Sequence, residues 1–303
     1  MEKLKIALDW TANTNHTGFY VAQQKGFYNE LGLDVEILTP DLDNYATTPA
    51  KKVELGKVDF ALCPFESVIS YRTKNISFDA VALATIFQED ISTIATLKNK
   101  DIQSPKDLDG MVYASYKARY EDEIVRRMIK NDGGLGNIEI VYPEKLGIWE
   151  TIMKGKADAT WIFKNWEGVR AKNEGIELNQ FTMKDYGIPY GYSPIIMASK
   201  KAAESNFENY SRFLKGTKKG YLFAKTHPIE AVECIAPFIA QQDTNIDLLE
   251  SQKFTSPFYG NDKNWGMMKK ENVNLFLEWL NAVGLEKTNL TSKDLLHNLQ
   301  NTI

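Results

Sequence analysis

The strongest constraint in this sequence is a rhythm. Between residues 4 and 173, short apolar runs of strand length alternate with segments of helical pattern. Strands are predicted at 4–8, 34–38, 58–62, 78–86, 91–97, 111–114, 138–141 and 157–163. Helices are predicted from residue 16 to 25 and at 49–55, 67–72, 105–108, 121–130, 146–153 and 166–173. Strands separated by helices return to the same sheet in the same direction, so the rhythm predicts mostly parallel sheets with covering helices. It comes in two blocks, which implies an α/β fold of two lobes, each aiming its strand-to-helix loops at a central cleft. A return strand is expected at 194–198. Beyond it come helices at 207–226 and 228–239, a linker through Trp265, and a terminal helix at 270–283 docked on the first lobe. The expected division is therefore 1–88 plus 197–303 for lobe one and 89–196 for lobe two, with a two-segment hinge near 84–92 and 191–198.

Composition narrows the function. The chain has 303 residues, 43% of them hydrophobic, so it can bury a sizeable core. A formal charge of -4 without any Lys/Arg block argues against nucleic acid. No apolar run reaches the roughly 20 residues of a membrane span, so direct membrane insertion is not expected. Two cysteines, Cys63 and Cys234, make neither a disulfide scaffold nor a zinc site. With only His16, His227 and His297 available, no metal site, no catalytic triad and no cofactor are expected. Residues 1–5 lead straight into the first strand, without a signal peptide. The expectation is thus a cell-envelope protein, periplasmic or lipid-anchored, if the chain is trimmed, and a cytoplasmic one if its N-terminus is native.

The most informative stretch is residues 8–28, LDWTANTNHTGFYVAQQKGFY. A strand breaks into a polar loop and then a helix capped by Thr14 or Asn15, with Gly26 as its stop. Strand ends that run into helix N-termini are where open α/β sheets place ligands. This loop holds no glycine-rich phosphate cradle. It offers Trp10, as an aromatic lid on the core or as a stacking plate. Asn13 and Asn15 can cap the helix or read a nitrogen-bearing edge, since an amide both donates and accepts. His16 reads as a hydrogen-bonded structural residue or as a ligand contact. Glu66 stands between a strand and a helix, either as a cap or as an acceptor for a ligand amine. In the second lobe Ser115, Tyr116, Lys117 and Arg119 form the counterpart loop, solvated or holding an anion. Trp161, Phe163 and Trp166 crowd one strand end, and Tyr186, Tyr190 and Tyr192 the approach to the hinge, with Glu167 as a weaker carboxylate candidate. This aromatic density at loop positions suits a small planar solute.

DWTANTNHTGFYVAQQKGFY resembles the opening motif of the periplasmic-binding-protein family that takes up pyrimidine precursors of thiamine, which also contains the yeast-type thiamine pyrimidine synthase. The resemblance continues through Gly32-Leu33-Asp34-Val35 and Gly56-Lys57-Val58-Asp59 and, more weakly, Gly155-Lys156-Ala157-Asp158. It implies a type II periplasmic-binding-protein-like fold. It also implies a non-catalytic binding protein of an ABC-type uptake system, with an aminopyrimidine solute and a permease partner. Its ligand contacts would be Trp10, Asn13, His16, Glu66, Ser115, Tyr116, Trp161, Trp166, Tyr190 and Tyr192. The alternatives are a cytosolic enzyme of thiamine pyrimidine biosynthesis, or a binder of riboflavin or an aromatic sulfonate. Against the enzyme, the synthase's lysine and histidine positions align with Cys63 and Ser67. Its cysteine-rich segment aligns with residues 189–194, which hold no cysteine.

Overall fold

A computed structural model of the chain describes residues 1–98 and 101–299. It divides into two compact units. Among the described residues, the first holds 1–90, 191–274 and 288–299; the second holds 91–98, 101–190 and 275–287. In chain order the first unit begins with β1 (Glu2–Ala7), α1 (Thr17–Gln24), α2 (Phe27–Glu30), β2 (Leu33–Leu38), α3 (Pro49–Glu54), β3 (Phe60–Cys63), α4 (Phe65–Thr73) and β4 (Ala80–Thr85). The second carries β5 (Ser92–Leu97), β6 (Val112–Ala114), α5 (Glu121–Asn131), β7 (Glu139–Val141), α6 (Ile148–Met153), β8 (Ala159–Phe163), α7 (Glu167–Asn173) and β9 (Leu178–Phe181). The chain returns to the first unit through β10 (Ile195–Ser199), α8 (Lys200–Ser205), α9 (Phe207–Thr226), α10 (Pro228–Ile235) and α11 (Leu248–Thr255). Then α12 (Lys270–Ala282) begins in the first unit and ends in the second, and α13 (Ser292–Leu295) belongs to the first.

Each unit is built on one five-stranded sheet, in the orders β2-β1-β3-β10-β4 and β7-β6-β8-β5-β9. In the first, β1 is parallel to β2 and β3, whereas β10 is antiparallel to β3 and β4. The second repeats the scheme, with β6 parallel to β7 and β8, and β5 antiparallel to β8 and β9. The helical crossovers force the parallel strands, and the one strand that enters each sheet from the opposite side makes it mixed. Leu4 and Ile6 of β1 are buried while Lys3 and Lys5 face solvent, whereas β4, between covering layers, is buried throughout.

Several expectations need correction. The expected division keeps residues 275–287 with lobe one. In the structure they group with the second unit, because Phe276 packs on Tyr190 and Glu286 binds Tyr120 and Arg119. The chain therefore passes between units at four places rather than two. Helices α8 and α11 and strand β9 lie where no element was expected. Asp247, accepting from the Glu250 amide at 2.9 Å, is a cap that marks the start of α11. Helix α10 stops at Ile235, and the expected helix at 105–108 is a short 3-10 turn closed by a Ser104–Asp107 capping box.

Candidate functional site

Strands β2 and β3 flank β1 and run parallel to it, so the loops after Ala7, Leu38 and Cys63 leave the same edge of the first unit's sheet. That edge carries Trp10, Tyr45 and Glu66. The loop at 9–16 is nearly all buried, and only Asp9 and Trp10 keep part of their surface open. Its shape comes from its own polar side chains. Asn13 Nδ2 donates to the Thr11 carbonyl at 3.0 Å, and Asn13 Oδ1 accepts from the Asn15 amide at 2.8 Å. Both ends of the Asn13 side chain thus work inside an Asx-type turn, with the residue 2% exposed.

His16 is fully buried, and its imidazole is engaged on both sides. Nδ1 accepts from the Asn13 amide at 3.2 Å, which leaves the proton on Nε2, 2.8 Å from Asp9 Oδ1. His16, rather than Thr14 or Asn15, occupies the N-cap position of α1, without a side-chain cap bond. Thr14 is occupied elsewhere, its hydroxyl meeting Ser251 at 2.7 Å and Thr255 at 3.2 Å on α11. The Tyr259 hydroxyl donates to the Thr14 carbonyl at 2.9 Å, and Tyr221 on α9 to the Asn15 carbonyl at 2.7 Å. At the other end of α1, Gly26 adopts φ 75°, the left-handed turn that only glycine takes without strain.

Above this base stands an aromatic pair. The Trp10 and Tyr45 rings lie 6.1 Å apart at 55°, and the Tyr45 hydroxyl donates to the Asp9 carbonyl at 2.7 Å. Glu66 sits in the first turn of α4 and is 4% exposed. Burial, followed by the charge of Asp9, pushes the neighbouring Cys63 thiol far up, making it a poor nucleophile. Tyr192, in this unit and 4% exposed, is structural: its hydroxyl accepts from the Lys269 amide at 2.8 Å and from Asn272 at 3.3 Å.

In the second unit the loop after β6 holds Ser115 and Tyr116. The amides that could have bound an external anion are already taken. Glu121, 2% exposed, accepts from the Tyr116 amide at 3.0 Å, the Ala118 amide at 3.1 Å and the Tyr113 hydroxyl at 2.8 Å. Ser115 Oγ accepts from the Lys117 amide at 2.9 Å and donates to Asp122 at 2.6 Å. Burial raises the Glu121 carboxyl above its ordinary value, and burial lowers Lys145, an effect the Glu121 charge opposes. Arg119 pairs with Glu286. Trp161 and Tyr190 meet edge-on, 5.0 Å apart, and both stay partly exposed. Trp166 differs: at 2% exposure it is a core residue before α7. Glu167 is spent on the Phe163 amide at 3.0 Å.

Within the first unit the structure brings Trp10, Asn13, His16 and Glu66 to one sheet edge. Within the second it joins Ser115 and Tyr116 in one loop and pairs Trp161 with Tyr190. Sequence reasoning missed Asp9 and Tyr45. Asp9 had a signal, the only carboxylate directly after the first strand; Tyr45 had none, since a loop tyrosine 36 residues from Asp9 becomes its neighbour only in the fold. No helix among the described residues is long and apolar enough to cross a membrane.

The fold is that of periplasmic solute-binding proteins. The alkanesulfonate-binding protein SsuA from Xanthomonas axonopodis pv. citri superposes with a TM-score of 0.71 at 11% identity, covering 97% of each chain. In sequence, the chain is 29% identical to a formylaminopyrimidine-binding protein of Halalkalibacterium halodurans over 254 residues, 82% of this chain and 74% of the relative. It is 22% identical to a 4-amino-5-hydroxymethyl-2-methylpyrimidine phosphate synthase of Saccharomyces cerevisiae over 290 residues, 87% of this chain and 80% of the relative. The sequence profile described as NMT1/THI5 like matches residues 13–231, well over half of the chain, and so the protein belongs to the NMT1/THI5-like family.

Proposed function

We propose that the protein is a non-catalytic solute-binding protein for a thiamine-precursor aminopyrimidine, serving an ABC-type permease at the cell envelope. The observation that carries this reading is the partly exposed Trp10 beside Tyr45, on a loop held from below by His16, Asn13 and Thr14. A rigid aromatic face binds a flat heterocycle at low entropic cost, because little is left to order on binding. Trp10 stacks the ring, and Glu66, at the same sheet edge, accepts from the exocyclic amine. The 29% identity to a formylaminopyrimidine-binding protein supports the same solute class.

The enzyme branch of the family remains the second reading, since a synthase matches over 87% of the chain. On the sequence resemblance, Cys63 takes the position of the synthase's lysine. It is buried with its thiol held protonated, which favours the binding branch.

A thermal-shift panel of hydroxymethyl and formylaminomethyl aminopyrimidines, thiamine, riboflavin, an aromatic sulfonate and pyridoxal phosphate separates these readings. At about 100-fold excess over Kd, a ligand specific for the folded state adds about 2.7 kcal/mol of stability. A shift with the aminopyrimidines alone is expected. A shift only with pyridoxal phosphate, or none with the pyrimidines, would overturn the proposal.

A further inference from the structure

From the geometry around Asp9 we infer that this carboxylate is an acceptor for the exocyclic amine of the solute, and that His16 is the residue that positions it. The inference rests on the aminopyrimidine reading and adds to it the group that makes the site selective for an amine.

Asp9 is held on two sides. Its Oδ1 accepts from His16 Nε2 at 2.8 Å, and its backbone carbonyl accepts from the Tyr45 hydroxyl at 2.7 Å. Among the described residues its other carboxylate oxygen, Oδ2, has no hydrogen-bond partner, and the side chain keeps 16% of its surface open. The next residue is Trp10, half-exposed and facing Tyr45 across 6.1 Å. A partly exposed carboxylate, fixed through one oxygen, therefore stands next in sequence to Trp10 and is tied to Tyr45 through its own backbone carbonyl.

The chemistry fits a primary amine on a flat ring. Such an amine carries two N–H groups, and each needs an acceptor once water is excluded. Glu66 supplies one, and Asp9 Oδ2 supplies the other. His16 cannot touch the solute, being fully buried. Because Nδ1 takes the Asn13 amide, the ring can offer only Nε2–H, and that bond holds the carboxylate through Oδ1, leaving Oδ2 as the oxygen for the amine. This accounts for a buried histidine in a loop that needs no catalyst.

The test uses calorimetric titration of the whole chain with 4-amino-5-hydroxymethyl-2-methylpyrimidine and its 4-desamino analogue. Asp9→Asn keeps an acceptor for His16 but turns a donor toward the amine. It is expected to weaken the amine probe about 10- to 100-fold, the scale of one charge-assisted hydrogen bond, with the desamino probe within about twofold. His16→Gln is expected to narrow the amine-to-desamino ratio in the same direction, a change that mere destabilisation would not give. Equal losses for both probes, or none, would make Asp9 purely structural and overturn the inference. If the unmodified protein binds neither probe, the aminopyrimidine reading itself fails, and that is seen without any variant. Should Asp9→Asn not fold, a structure of the unmodified protein with the amine probe decides. Asp9 Oδ2 within about 2.7–3.2 Å of the amine nitrogen is expected, and a separation beyond about 4 Å overturns the inference.

Discussion

Trp10 and Asn13 stand three residues apart, yet their surroundings give them different work. Trp10 keeps part of its surface open beside Tyr45, whereas the Asn13 amide is spent on the Thr11 carbonyl and the Asn15 amide. A partly exposed aromatic can stack on a ligand; a buried amide that closes a turn cannot leave without orphaning its partners. Trp10→Ala is therefore expected to weaken aminopyrimidine binding by about 1–3 kcal/mol, the range for losing a stacked ring. Trp10→Phe should recover much of that loss. Titration of both variants checks this, and an unchanged affinity in the alanine variant would remove Trp10 from the site. The sequence named Trp10, Asn13 and His16 as candidates but left each with two readings. Which reading holds depends on partners such as Tyr45 and Tyr221, the latter 206 residues beyond Asn15.

At the scale of elements, the loop depends on how closely α1 and α9 approach. A Cβ on Gly220 would lie 2.0 Å from the Gly18 carbonyl oxygen, and a Cβ on Gly18 would run into the Tyr221 ring at 2.2 Å. Neither helix backbone can move aside cheaply, so the two glycines set the crossing distance. That crossing also lets the Tyr221 hydroxyl reach the Asn15 carbonyl and tie down the loop. Gly220→Ala is expected to cost about 1–3 kcal/mol of stability or more, as overpacking does. A urea titration checks the value, and a midpoint equal to that of the unaltered protein would contradict the crossing argument. Helix α9 was legible over its full length, residues 207–226, from its helical pattern. Its two buried glycines gave no sign of their purpose, because close approach is a property of the pair of helices and of neither alone.

Over the whole molecule, stability should follow pH through Glu121. Burial raises this carboxyl above its ordinary 4.5, so the folded chain holds the proton more tightly than the unfolded one. The stability this contributes is full below the unfolded value and is lost as pH rises through the folded value. Glu121→Gln is expected to flatten the fall in unfolding free energy as pH rises from about 4.5. Denaturation curves of both proteins across that interval test it, and parallel slopes would refute it. The two α/β blocks with helix-covered sheets were what the sequence determined alone, because alternating strands and helices need crossover connections; the strand order that the two units share, with one antiparallel strand in each sheet, came only from the structure. Strand β9 and helix α11 escaped notice because their short, weakly patterned segments become ordered only through partners supplied by the rest of each unit. Residues 275–287 went to the second unit because Phe276 and Glu286 find Tyr190, Tyr120 and Arg119 there. Periodicity is local and can be read along the chain. Whether a polar side chain keeps part of its surface open, as Asp9 does beside His16, or is buried and spent, as Glu121 is on the Tyr116 and Ala118 amides, is decided only when the rest of the fold assembles around it.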